Sequence, residues 1–387
     1  MTNSAQPLSL LHLALLALAV LLTMHQAVLL AGLWTQMPAG LQPLFIQSDF
    51  IHHWASGWLT AHGRAAEVYD VSILAAVMAD TAGGLAATKF DIGGLYPPPY
   101  LLLVWPLGLL PVGGAGFLFF ASQIGLYLFM AWRLAGLPGL LLALASPALW
   151  ICLQSGQNSL LFASLLGLGL YWLPRRSVLA GVCFGLAALK PHLGLALPIL
   201  LLVGRDKTAF MTAVLVVAAL CCLSFICFGA AVWSEFFTTG IRSISLVVGA
   251  LPDFGRYISL YPFLVEATLQ KNIMIFSYVA IALVGLAAAV RIWYQTPSWD
   301  RRTISFVAAA LLLAPAAYDY DLPMLVLAML ALWTMRKSLW LVASLLLVPA
   351  IYLTEFAGLP LIPLTVILLL WVITKETPAS HVGGTGS

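Results

Sequence analysis

Asp49 is the first acidic residue in the chain. It lies in the stretch Gln47-Ser48-Asp49-Phe50-Ile51-His52-His53-Trp54, just past a long apolar run. A carboxylate at a helix N-terminus is kept ionised, the state in which it can take a proton from a hydroxyl as a general base. The same position also suits a plain helix cap, with Ser48 or Asp49 accepting backbone N–H bonds. A second chemically loaded stretch is Lys190-Pro191-His192, set between two apolar segments. Pro191 breaks the helix there, and a Lys and a His at a broken helix facing a cavity can meet a phosphate. The alternative is a Lys snorkelling to the headgroups, with His192 a hydrogen-bonded interfacial residue. Gln154-Ser155-Gly156-Gln157-Asn158-Ser159 packs uncharged donors and acceptors into one turn, a set that suits sugar hydroxyls or helix capping. In Tyr318-Asp319-Tyr320-Asp321 the two carboxylates are at i and i+2. On a helix they point to nearly opposite sides, which argues against a pair sharing one proton.

The elements that must hold these groups are membrane helices. The 387 residues are 62% hydrophobic and only 8% charged, far more apolar than a soluble domain. Long uncharged runs broken by short turns mean a polytopic α-helical membrane protein, not a β-barrel of alternating ten-residue strands. The run from about Leu8 to Trp34 is too long for a signal-peptide core and is read as a retained span. A net charge of +3 with no basic cluster excludes nucleic acid as a partner. The five cysteines lie in apolar runs without C-x-x-C spacing and read as buried fillers.

Between the first span and the next lies a polar stretch, residues 35–96. Phe50, Trp54 and Trp58 recur every fourth residue, with His53, Ser56 and Thr60 on another face. This predicts a helix lying in the membrane interface, aromatic side down, beginning near Asp49. A second helix is expected over Val71 to Asp80, and Gly83-Gly84 and Gly93-Gly94 mark loops. The run from Pro99 to Leu110 contains Pro106 and is too short for a comfortable span. It reads as re-entrant or interfacial, against the alternative of a short tilted crossing. If it does not cross, Arg133, Arg175-Arg176, Arg205 with Lys207, Arg291 with Arg301-Arg302, Arg336-Lys337 and Lys375 share one side, the cytoplasmic one. The other side receives Asp49, Gln154 to Ser159, Lys190 to His192, the loop Trp233 to Lys271 with Glu235, Arg242, Asp253, Arg256 and Tyr257, then Tyr318 to Asp321 and Thr354-Glu355. About twelve spans with both termini inside follow. The expected organisation is one transmembrane domain over 1–376, with external loops at 35–112 and 230–272 and a disordered tail at 377–387. Short apolar segments such as Val178 to Leu189 suit helices that stop at a cavity.

The order of motifs resembles the membrane glycosyltransferases of family 87, within the GT-C superfold. The resemblance rests on Ser48-Asp49-Phe50, Gly63, Val68-Tyr69-Asp70, Tyr96-Pro97-Pro98-Pro99 with Pro106-Leu107, and Gly156-Gln157. It continues through Ala180-Gly181, Gly185-Leu186-Ala187-Ala188-Leu189-Lys190-Pro191 and Tyr320-Asp321-Leu322. It implies an inverting transfer from a polyprenyl-phosphate sugar, typically mannose, as in the mycobacterial enzymes that elongate phosphatidylinositol mannosides. It also implies that Asp49 is the base. On that reading Lys190, then Arg256 and His192, meet the donor phosphate. His53, Tyr96, Gln157, Tyr320 and Asp321 touch sugar or acceptor. Some GT-C enzymes carry an acidic pair where this chain has only Asp49, so no divalent metal and no cofactor is expected. The partners are then the lipid-linked donor, a lipid or glycan acceptor and membrane lipids. The site would face the periplasm or outside of the inner (plasma) membrane. A lipid or lipid-linked sugar transporter is the competing reading. It calls for polar groups spread through the bilayer depth and an internal repeat, and neither is evident.

Overall fold

The computed structural model describes residues 49–81, 93–249, 256–267, 270–335 and 360–376. The first apolar run, His25, Gly83-Gly84, Asp253, Thr354-Glu355 and the tail lie outside the described residues. All named elements among the described residues are helical. Three helices are long and apolar enough to cross a membrane, Val112–Ala145, Lys207–Ser245 and Lys271–Gln295. This fits an all-α membrane protein.

Helix α1 (Phe50–Ala61) is followed by a 3-10 turn (Ala65–Tyr69) and α2 (Val71–Thr81). Asp70 starts α2: its Oδ1 accepts from the backbone N–H groups of Ser72 at 2.9 Å and Ile73 at 3.1 Å, the usual way of satisfying first-turn donors. Residues Pro98 to Leu109 then form a hook of two 3-10 turns around the short α3 (Leu101–Val104). At about 1.5–2 Å per residue the hook reaches roughly 20 Å, less than the about 30 Å of hydrocarbon that one spanning helix covers. Its outer side exposes Leu103, Trp105 and Leu109.

The hook corrects the expected posture of α1. Phe50, His53, Trp54, Ser56 and Thr60 are all buried, so the helix does not lie with an aromatic side on lipid. Instead the hook crosses it. Gly57 abuts the backbone of Val104 and Gly108, and Trp54 Nε1 donates to Leu110 O at 3.1 Å. On the other side Phe50 packs on Phe119 and Phe120, with ring centroids 5.2 and 5.6 Å away. Trp105 of the hook, by contrast, is exposed.

The bundle proper begins with α4 (Val112–Ala145), kinked at Gly136, whose φ of +64° few other residues tolerate, just ahead of Pro138. It continues through α5 (Pro147–Ser155), α6 (Ser159–Trp172), α7 (Ser177–Ala187) and α8 (Leu197–Val203). The long α9 (Lys207–Glu235) runs through a π turn into α10 (Ile241–Gly249). Then come α11 (Tyr261–Ala267), α12 (Lys271–Gln295), α13 (Trp299–Leu313), α14 (Pro323–Met335) and α15 (Leu361–Glu376). Helices α13 and α14 are buried nearly all round and form the centre. By contrast α9 exposes Met211, Val214, Leu215, Leu223, Phe225 and Ile226, the surface of a helix solvated by lipid.

The bundle has two polar ends. At one, Arg133 stacks over Tyr171, Tyr171 meets Trp299, and buried Arg302 bonds Asp206 at 2.7 Å while lying over Trp293. The residues at the other end are those of the candidate site. Helices α6, α7 and α13 connect the two with only 14, 11 and 15 residues, roughly 16–22 Å at 1.5 Å per residue. Each is shorter than a bilayer core of about 30 Å.

Gly57→Leu drives a side chain into the hook backbone. It should lower stability by about 1–3 kcal/mol or more, read as a lower thermal unfolding temperature in detergent. An unchanged midpoint would mean that the hook is not clamped on α1.

Candidate active site

Four chain breaks converge at the site end of the bundle. The first is the start of α1. Asp49 is its first flanking residue, and its side chain makes no cap bond. Instead the Asp49 N–H donates to Ser155 O at 2.9 Å, and Gln157 Nε2 donates to Asp49 Oδ2 at 2.5 Å. Thus the carboxylate is aimed at another helix break rather than at its own helix end. Burial pushes its pKa above the ordinary carboxylate value. The Gln157 hydrogen bond and the charges of Arg256 and Lys190 work against that rise, and Asp319 adds to it.

The second break joins α5 to α6. Ser146 caps α5 by accepting from Ala148 N, Pro147 fills its first turn, and Gly156 ends it at φ +70° in the left-handed region. The turn that follows puts Gln157 on Asp49 and Asn158 on two phenols. Asn158 Nδ2 donates to Tyr96 OH at 3.0 Å and Tyr100 OH at 2.9 Å. The rings of Tyr96 and Tyr100 stack with centroids 4.0 Å apart. Of the alternatives for this polar turn, capping accounts only for Gly156; Ser155, Gln157, Asn158 and Ser159 use their side chains to bond other segments.

The third break is at Lys190-Pro191, as the proline requires. Lys190 is 2% exposed and its Nζ donates to Asp321 Oδ1 at 2.8 Å and Ser159 Oγ at 2.6 Å, above the Tyr320 ring. Ser159 Oγ in turn donates to Asp321 Oδ1 at 2.6 Å. Burial alone would raise the Asp321 pKa, but Lys190 beside it holds the carboxyl well below the usual range, with His192 adding to that effect. This revises the expectation for Lys190. Its ammonium is enclosed and neutralised by Asp321, so it neither snorkels nor stands open to a phosphate. Asp321, fully buried, is likewise engaged by the chain itself. His192 is 35% exposed, with Nε2 3.5 Å from Asp321 Oδ2.

The fourth break is the 3-10 turn Asp319–Asp321 between α13 and α14. Its two carboxylates do point apart, one into each of two ion pairs. Asp319 takes a bidentate contact from Arg256, 3.0 Å from Nε and 3.1 Å from Nη2, and Nη2 also donates to Ser155 Oγ at 3.1 Å. Arg256 is 41% exposed. The segment carrying it is strapped down by a bridge between Tyr257 and Tyr318, whose hydroxyls lie 2.9 Å apart, and by Ile258 N donating to Ala317 O at 2.9 Å. Tyr318 stacks on Tyr320, which sits partly open beside Lys190.

His53 is the other residue whose setting differs from expectation. It is 2% exposed, ringed by Tyr96, Tyr100 and Phe119, with Nδ1 3.0 Å from Tyr100 OH. It has no open edge toward a substrate. Among the described residues no three His, Cys, Asp or Glu side chains converge as metal ligands.

The profile of glycosyltransferase family 87 matches residues 95–315, more than half of the chain. The chain belongs to that family. The matched segment contains Tyr96, Gln157, Lys190, His192 and Arg256, while Asp49 and the Asp319–Asp321 turn flank it. No curated protein and no solved structure gave a significant match. Family membership makes this a membrane glycosyltransferase, and the convergent polar end is its candidate active site. The sequence missed the Asp319–Arg256 and Ser159–Asp321 contacts, which join residues 63 and 162 positions apart.

Lys190→Met leaves Asp321 buried without its cation, which should cost about 3–5 kcal/mol and show as lost thermal stability and yield. Pairing it with Asp321→Leu should recover much of that loss. A stable single variant that lost only donor binding would instead make Lys190 a phosphate ligand.

Proposed function

We propose that this family 87 enzyme transfers a sugar, with mannose the first candidate, from a polyprenyl-phosphate donor to a hydroxyl of a lipid or glycan acceptor. The transfer inverts the anomeric carbon and takes place on the extracytoplasmic face. The observation that carries the reading is Asp49, a carboxylate held by Gln157 in a polar recess beside the half-exposed guanidinium of Arg256. Asp49 accepts the proton as the acceptor oxygen attacks the anomeric carbon. The bond from that carbon to the phosphate oxygen breaks, and its electron pair leaves with the polyprenyl phosphate. General-base help of this kind is worth roughly 10²–10⁴-fold.

The leaving phosphate needs a cation. Arg256 takes that role first, because its planar fork suits phosphate and it is open to the recess. His192, also part-exposed, is next. Lys190 acts through Asp321, anchoring the turn that carries Asp319 and hence Arg256. Tyr320 and Tyr96 flank the recess as part-exposed aromatic surfaces for the sugar. The prenyl chain, being apolar, runs along the lipid-facing side of the bundle. Twelve spans in a GT-C arrangement, with the basic end cytoplasmic, complete the proposal. The short helices leave the site below the headgroup plane, within reach of a phosphate anchored by its own lipid. The transporter reading gains no support, since the polar groups gather at the ends rather than along the bilayer depth.

The test is a transfer assay in nanodiscs, with radiolabelled polyprenyl-phosphate-mannose and a total lipid extract of the source membrane. Label should move to a new lipid or glycan, whose structure names the acceptor. Label that crosses the bilayer unchanged would replace the transferase reading with a flippase. Donor left intact, while a polyprenyl-phosphate glucose or arabinose is consumed, would correct the sugar.

A further inference from the structure

Two buried polar atoms near Asp49 have no hydrogen-bond partner, Gln157 Oε1 and His53 Nε2. Orphans of this kind are costly in an apolar setting and call for an explanation. One is an acceptor and the other is able to donate. Gln157 must turn its NH2 toward Asp49, because a carbonyl oxygen 2.5 Å from a carboxylate oxygen would be two acceptors in repulsion. That fixes Oε1 on the far side, in need of a donor. His53 Nδ1 meets Tyr100 OH at 3.0 Å, and that hydroxyl already accepts from Asn158 Nδ2 at 2.9 Å. The hydroxyl proton therefore goes to His53 Nδ1, which leaves the ring proton of a neutral imidazole on Nε2.

We propose that His53 is a positioning residue for Asp49: its Nε2–H holds the Gln157 amide so that Gln157 Nε2–H is locked on Asp49 Oδ2. The whole chain then donates in one sense, from Asn158 to Tyr100 to His53 to Gln157 and onto the carboxylate. Bonds aligned in this way polarise one another, so the last one is the strongest. Burial holds the His53 pKa well below its ordinary value, so the ring is neutral and too weak a base to rival Asp49. His52 and Lys190 nearby also oppose its protonation. Around Asp49 itself the facing groups are Gln157 from the α5–α6 turn, Lys190, Arg256, Asp319 and the phenols of Tyr96, Tyr318 and Tyr320. The inference rests on the reading of Asp49 as base, but the tautomer it requires is independent of any activity.

Two measurements test it. With polyprenyl-phosphate-mannose as donor, His53→Phe should lower kcat by about 10–100-fold and move the acid limb of the rate profile up by about one pH unit, the weakening of the charge-assisted Gln157–Asp49 bond. The direction follows because weakening the Gln157 bond raises the Asp49 pKa, so more alkaline pH is needed to ionise the base. His53→Gln, whose amide can still donate to Gln157, should restore most of the rate and the original limb. An unmoved limb in His53→Phe, or no rescue by His53→Gln, would overturn the proposal. Alongside, ¹⁵N-histidine NMR of the intact protein, with His53 assigned by its disappearance in His53→Gln, should show Nε2 protonated and Nδ1 bare. A protonated Nδ1 would overturn the proposal even if the wild-type enzyme transferred no sugar, an outcome that would by itself count only against the transferase reading.

Discussion

A buried ion pair, Lys190 with Asp321, is the contact on which the site end of the bundle depends. Ser159 donates to the same carboxylate oxygen that Lys190 reaches, so one acceptor joins three helix breaks. Each break supplies something else. Ser159 opens α6 immediately after Gln157 and Asn158. Asp321 ends the turn that begins with Asp319, the partner of Arg256. Removing either charge strands the other where no water can solvate it, so the three segments move together or not at all. Asp49 and Arg256 are thus positioned by a pair that touches neither.

Charge in this chain is scarce, and the structure spends it at two levels. At the basic end Arg302 and Asp206 pin α8, α9 and α13 together, with Trp293 beneath the guanidinium. At the recessed end two ion pairs and a polar turn enclose Asp49. Between them run short helices of 11 to 15 residues, and outside them run long apolar helices. The arrangement suits a reaction between a phosphate tethered to a lipid and a polar acceptor. Buried groups such as these interact with little screening by solvent.

Local rules made part of this legible in the sequence. Pro191 had to break a helix, and the i, i+2 spacing had to send Asp319 and Asp321 apart. Helix periodicity also placed α1 next to Asp49. The same rules could not say what would cover α1. Its aromatic repeat looks the same whether the partner is lipid or protein, and the deciding contact is a backbone approach of Gly57 to Val104 and Gly108, some fifty residues on. Lys190 was visible as an unusual cation, yet its burial depends on a carboxylate 131 positions away. His53 carries no sequence signal that separates a ligand-facing imidazole from an enclosed one. Only the orphaned atoms on it and on Gln157 do that.

The central claim is that Asp49 takes the acceptor proton. Asp49→Asn keeps the shape of the side chain and an oxygen for Gln157, and removes only the basicity. Turnover of radiolabelled polyprenyl-phosphate-mannose by the purified variant, with donor binding measured in parallel, isolates that change. The account predicts a fall in kcat of roughly 10²–10⁴-fold with donor binding retained. Near-normal turnover in the variant would contradict it, and the base would have to be sought elsewhere in the recess.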